Sequence, residues 1–270
     1  MKRANFRFSC LSMVVAATMM IALLTSCHNG ENVVTNGNLE YQAGDLTPKA
    51  FTEVELDAVA DVYYTQNNGD KHEVRLDFSQ IKDENAAKQF KEKTKVVYRD
   101  GKVIIGISGK IVGANGLDKG KRLRVYVTSP DLLKITVEGV GSFNADAINS
   151  DTLDIDNEGV GSVYVKKLLV NRLNVDNKGV GSIVLGQLQA DKVDIDNEGV
   201  GNVKIVSFKG GKMIIDNEGV GNVEAYVDCE SVNATLEGVG SIQLSGVTRH
   251  FYKDKDGVGS FKISDLKVTK

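Results

Sequence analysis

The stretch Ile195-Asp196-Asn197-Glu198-Gly199-Val200-Gly201-Asn202-Val203-Lys204-Ile205 decides the fold, because the chain repeats it almost unchanged. Its central Gly-Val-Gly occurs seven times, beginning at Gly139, Gly159, Gly179, Gly199, Gly219, Gly238 and Gly257. The steps between copies are 20, 20, 20, 20, 19 and 19 residues. A fixed period of this length marks a solenoid, in which each repeat buries its apolar face only by stacking on the next.

Outward from the glycines, apolar residues alternate with polar ones. Four positions after the first Gly stand Phe143, Val163, Ile183, Val203, Val223, Ile242 and Phe261. Four positions before it stand Ile135, Ile155, Val175, Ile195 and Ile215. This is strand periodicity with one face buried, and no 3.6-residue stripe long enough for a helix interrupts it. Short strands at about 20 residues per coil predict an all-β, single-stranded parallel β-helix, with like residues stacked about 4.8 Å apart. The leucine-rich pattern and the calcium-binding Gly-Gly-x-Gly-x-Asp nonapeptide are both absent. The glycines mark corners that need positive φ, or places where neighbouring coils crowd out a side chain. A phosphate loop is a poor reading, since the third Gly is missing and no helix follows.

Counting the alternation from Ile155 points Asn157 inward and Asp156 and Glu158 outward. Asn157, Asn177, Asn197 and Asn217 are therefore expected to form an internal amide ladder, each bonding to the next coil. Asp156, Glu158, Asp196, Glu198, Asp216 and Glu218 form an outward acidic stripe, interrupted by Lys178. Two readings of the stripe stand: a solvated, solubilising face, or a shallow site for Ca²⁺ or glycan hydroxyls. Like charges at that spacing repel by under about 1 kcal/mol in water, a cost that a solvated face tolerates.

The N-terminus sets the compartment. Lys2, Arg3 and Arg7 precede an apolar run of 14 residues from Leu11 to Leu24, followed by Thr25-Ser26-Cys27. This is a secretory signal over residues 1–26, too short for a comfortable membrane span. The Leu-Thr-Ser-Cys ending resembles a bacterial lipobox, which implies lipidation at Cys27. Residues 27–44, polar and rich in Asn and Gly, read as a flexible tether. Loss of the signal moves the net charge from −3 to −6, which argues against a nucleic-acid partner. Only Cys27 and Cys229 remain after cleavage, so disulfides do not staple the fold, and Cys229 reads as a small buried side chain.

Residues 45–130 alternate as strands without the Gly-Val-Gly signature, and Asp83 to Lys93 has the composition of one short helix. They read as irregular coils capping the N-terminal end, with the regular repeats and a C-terminal cap over 131–270. In the last coil Lys253 and Lys255 replace apolar residues, and such charges discourage edge-to-edge pairing.

The lipobox, the strand-rich N-terminal part, the Ser129-Pro130-Asp131-Leu132 step and the iterated Gly-x-Gly-Ser/Asn-Val/Ile together resemble a family of Bacteroidetes envelope proteins. That family is described as putative auto-transporter adhesin, head GIN domain. The resemblance implies that the β-helix is right-handed and belongs to a lipoprotein of the outer membrane or surface. It supplies no catalytic or binding residues.

Enzyme readings fare poorly. The coils are too uniform to carry the long loops of a polysaccharide lyase or hydrolase, and the chain has no Trp for sugar stacking. His72 and His250 lack metal-ligand spacing. No catalytic residue, metal or cofactor is expected. The reading is a non-enzymatic, lipid-anchored, adhesin-like envelope protein that meets the membrane through its anchor and takes a glycan or protein ligand. An envelope assembly component and a glycan-degrading enzyme are the alternatives.

Overall fold

Each coil lays its side chains in register on those of the coil before it. The computed structural model describes residues 49–109 and 122–269. The leader, Cys27 and the tether lie outside the described residues. About 72% of the described residues are strand, wound as a β-solenoid of about seven turns with one helix.

In the regular half, β8 (Val140–Asn149) carries β10 (Val160–Leu169), with Val160 opposite Val140 and Val163 opposite Phe143. Likewise β9 (Thr152–Asn157) carries β11 (Arg172–Asn177), with Val175 opposite Ile155. From there the two segments of each coil run on as single bent strands. These are β12 (Val180–Asn197), β13 (Val200–Asn217), β14 (Val220–Leu236) and β15 (Val239–Lys255). All these pairings are parallel. The shorter 19-residue step arises where the register of β13 on β14 shifts between Ile205 and Phe208. Rows such as Val163, Ile183, Val203, Val223 and Ile242 are wholly buried. Full burial of a side chain of this kind contributes roughly 1.5–3 kcal/mol.

Coil crowding explains the glycine rows. A Cβ built on Gly201 would lie 1.7 Å from the Gly181 carbonyl oxygen, and one on Gly199 would lie 2.2 Å from that of Gly179. No side chain fits there. The Val between each pair is turned outward by the same alternation and is exposed in every copy except Val180, which is half-buried.

The N-terminal part departs from a simple stack. β1 (Glu53–Asp57) pairs in parallel with both β5 (Lys102–Ile107) and β7 (Lys134–Val137). β2 (Val59–Gln66) does the same with β6 (Leu123–Ser129) and β8. The first coil of the chain is thus clasped between two later ones. The step across it is fastened by Tyr64, whose hydroxyl lies 3.0 Å from Ser129 Oγ, and by Ser129 Oγ donating to the Asp131 carbonyl at 2.6 Å. Burial pushes the Tyr64 phenol up to about 12.

β3 (Glu73–Asp77) lies antiparallel on β6 and β4 (Thr94–Arg99) antiparallel on β5, which ends the parallel stack. Between them runs α1 (Glu84–Lys93), capped by the Asp83 carboxylate, which accepts from Ala86 N at 2.7 Å. Phe90 and Ala86 on this helix are buried.

At the opposite end, β16 (Val258–Lys262) and β17 (Leu266–Val268) pair with β15 over residues 239–243 and 246–248. Lys253 and Lys255 sit in register above the buried Ala234 and Leu236. Both lysines are exposed, and charges at such an edge discourage further pairing. Cys229 is a buried free thiol near Thr248 Oγ1, and its pKa is raised chiefly by burial.

Candidate functional site

Two stacked polar rows and one groove concentrate the chemistry of the described residues. The inner row is made of Asn157, Asn177, Asn197 and Asn217, all fully buried. Asn157 Nδ2 donates to Asn177 Oδ1 at 2.7 Å, Asn177 Nδ2 to Asn197 Oδ1 at 2.6 Å, and Asn197 Nδ2 to Asn217 Oδ1 at 2.7 Å. The run ends with Asn217 Nδ2 on the Gly221 carbonyl at 3.2 Å. At its other end Asn157 Oδ1 has no hydrogen-bond partner, because Val137 occupies that place in the neighbouring coil. The backbone carbonyls of the same asparagines hold the turn above: Asn157 O accepts from Gly179 N at 2.7 Å and from Lys178 N at 2.9 Å. These amides build the coil and face no solvent.

The outer row places Asp156, Asp176, Asp196 and Asp216 in strict register, with Glu158, Glu198 and Glu218 exposed at the turn that follows. Cations relieve part of it. Lys134 bridges Asp156 at 2.6 Å, while Lys178 bridges Asp176 and reaches Glu198 at 3.6 Å. Among the described residues neither Asp196 nor Asp216 has such a partner; at Asp196 the consequence is visible. Partial burial, followed by the charges of Glu198, Asp176, Glu218 and Asp216, pushes its carboxyl up to about 6. The buried Oδ1 atoms of Asp176 and Asp196 accept no hydrogen bond. Glu138, one coil below Glu158, is also raised, first by burial and then by Glu55 and Asp57. Among the described residues no group of three or more His, Cys, Asp or Glu is disposed to hold a metal ion. Side chains stacked in parallel rows do not converge, whereas a Ca²⁺ shell needs six to eight oxygens around one point.

The groove lies on a third side, where the coils bend between their two longer segments. It has a volume of about 800 Å³. Its floor is the buried Ile148, Leu168 and Leu188, and its wall is the turn from Gln66 to Gly69 beside Pro130. That wall is braced. Gln66 Nε2 donates to the Pro130 carbonyl at 2.9 Å and the Asn149 carbonyl at 2.7 Å, while Gln66 Oε1 accepts from Asn149 N at 2.7 Å. Asn67 closes the turn on itself, with Oδ1 accepting from Gly69 N at 2.8 Å and Nδ2 donating to the Lys71 carbonyl at 2.7 Å. Facing this wall are two outward rows, Lys167-Gln187-Ser207 and Asn149-Leu169-Gln189-Lys209. Repeat analysis passes over these positions because their identity changes from coil to coil. The usable signal is that variation itself, polar residues of differing kind at a fixed outward place.

Similarity to known proteins agrees with this architecture. The family described as putative auto-transporter adhesin, head GIN domain, matches residues 50–247. A crystal structure of a putative adhesin from Bacteroides fragilis NCTC 9343 is 27% identical, with a TM-score of 0.66, covering 81% of this chain and 94% of that one. Two crystal structures from Parabacteroides distasonis ATCC 8503 share the fold. A putative adhesin is 18% identical with a TM-score of 0.55, covering 84% of this chain and 95% of its own. A putative lipid binding protein is 16% identical with a TM-score of 0.51, covering 84% and 96%. Among curated proteins, none matches the chain. With the family match running from the clasped first coil to the last full strand, this chain belongs to the putative auto-transporter adhesin, head GIN domain family.

Proposed function

We propose that this protein is a non-enzymatic, adhesin-like binding protein of the cell envelope, held to the outer membrane by acyl chains on Cys27. The observation that carries the reading is the braced, solvent-facing groove set on a rigid stack of uniform coils, without inserted loops along the described repeats. Preorganised side chains on a rigid scaffold lower the ordering cost of binding an extended ligand. The adhesin name carried by the family and by the Bacteroides fragilis relative supports the same reading. The His72 ring is spent as a structural acceptor for Phe51 N at 3.3 Å, so it does not stand as a base beside the groove.

Purified mature chain applied to an array of glycans and host extracellular proteins tests the binding role. Saturable capture of at least one class is expected. Turnover of a polysaccharide without retention would replace the reading with an enzymatic one. The anchor is tested by detergent phase partitioning: Cys27→Ala should move the protein from the detergent to the aqueous phase or leave it uncleaved, and unchanged partitioning would remove the lipoprotein assignment.

A further inference from the structure

The groove differs in charge from the rest of the molecule. The full chain carries 36 acidic and 33 basic residues, yet the groove lining contains Lys167 and Lys209 and no carboxylate. Several other lysines on the solenoid are engaged, Lys166 with Asp146, Lys192 with Asp194 at 2.5 Å and Lys204 with Glu224 at 2.9 Å. Among the described residues Lys167 and Lys209 make no ion pair. They stand two coils apart by register, which sets them roughly 10 Å from each other along the axis. Around them, the side-chain amides of Asn149, Gln187 and Gln189 point outward without partners among the described residues, and Leu169 leaves an apolar step that is 45% exposed.

Unpaired cations flanked by unspent amides on a braced apolar floor match one ligand chemistry: a chain bearing anionic groups at intervals, many hydroxyls and a less polar ring face. We propose that this groove binds an anionic polysaccharide, with Lys167 and Lys209 pairing its acidic groups and Asn149, Gln187 and Gln189 bonding its hydroxyls. The inference rests on the binding-protein reading and narrows it to a ligand class and a place. A chain lying along the axis meets a new set of these groups every coil, about every 4.8 Å. Neutral glycans forfeit the two charge-assisted contacts. Polynucleotides would meet the same two lysines, but the groove lining offers no aromatic side chain on which bases could stack.

The test measures binding of the mature chain to polygalacturonate, which bears carboxylates alone, and to dextran sulfate, which bears sulfates alone, so that the recognised group is separated. Dextran serves as the neutral arm and single-stranded DNA as the general polyanion. Two variants are compared with the parent: Lys167→Gln with Lys209→Gln, and the charge-matched control Lys88→Gln with Lys91→Gln on α1. All four lysines are exposed, and a melting curve reports any misfolding directly. The expected result is saturable binding of at least one acidic glycan, about tenfold weaker in the groove variant and unchanged in the control, as loss of two charge-assisted contacts requires. Equal binding by the groove variant, or DNA competing as well as the glycan, overturns the inference. Capture of a neutral glycan or a host protein alone overturns it too and leaves the binding-protein reading standing, whereas capture of nothing removes both.

Discussion

The inner amide row and the outer carboxylate row occupy adjacent positions of the same strands, at the same spacing, with opposite energetics. An amide carries both a donor and an acceptor, so a column of identical asparagines is self-complementary, and three inter-coil bonds of 2.6–2.7 Å link four fully buried residues. An ionised carboxylate carries acceptors only, so a column of aspartates has nothing to offer itself. Lysines relieve Asp156 and Asp176, whereas partial burial first, and then the neighbouring carboxylates, push the carboxyl of Asp196 up to about 6. A solenoid repeats whatever stands at a position, and only self-complementary groups gain from repetition.

The largest effect should follow from carrying the outer chemistry inward. Asn197→Asp keeps an acceptor for Asn177 Nδ2 but removes the donor to Asn217 Oδ1 and buries a charge. A loss on the order of 3 kcal/mol or more is expected at neutral pH, with partial recovery at acidic pH where the carboxyl regains a proton. Denaturant melts at pH 7 and pH 5 measure it; equal stability at both pH values would show that residue 197 is not enclosed. Asn197→Leu should cost less, roughly 1–3 kcal/mol, because it strands one donor and one acceptor without adding charge. A variant as stable as the parent would place the asparagines in water.

The reverse exchange, Asp196→Asn, brings the inner chemistry outward. The folded-state carboxyl of Asp196 binds its proton more tightly than the unfolded one, raised from the ordinary 3.8 to about 6. Its contribution to stability is therefore fully present below about pH 3.8 and lost as pH rises through about 6. Asp196→Asn should remove that pH dependence and, because the group is only partly buried and solvent screens it, stabilise the fold at pH 7 by less than about 1 kcal/mol. A steeper pH dependence in the variant would contradict the assignment.

The smallest effect concerns Ca²⁺. Melting temperatures in CaCl₂ and in NaCl of matched ionic strength should coincide, since parallel carboxylate rows screen without coordinating. A rise specific to Ca²⁺ would show that the outer row converges on an ion.

Much of this contrast can be read in the sequence, and the reason is periodicity. Ile155, one of a row of buried apolar residues, sets the phase, and from it Asn157 points inward and Asp156 outward without further information. The Gly-Val-Gly spacing likewise carries the coil length, and the Asp83 cap marks the start of the helix. Three features cannot be read that way. Alternation is the same in either strand direction, so the antiparallel placement of β3 and β4 is silent in residues 73–77 and 94–99. The clasp of β1 and β2 between later coils depends on pairings nearly fifty to more than eighty residues away, which no local pattern encodes. The groove joins the turn at Gln66–Gly69 to bends a hundred residues on, at positions whose residue type varies between coils. The elevated Asp196 carboxyl, finally, is a sum over four neighbours and partial burial, and a count of charges does not contain it.

The most direct test of the contrast is hydrogen exchange of the asparagine side-chain amides, followed by NMR in D₂O on the mature chain. The Nδ2 protons of Asn177 and Asn197, each bonded to the next coil and excluded from solvent, should exchange as slowly as the backbone amides of their own strands. Exchange of those protons at the rate of an exposed side-chain amide would contradict the buried ladder.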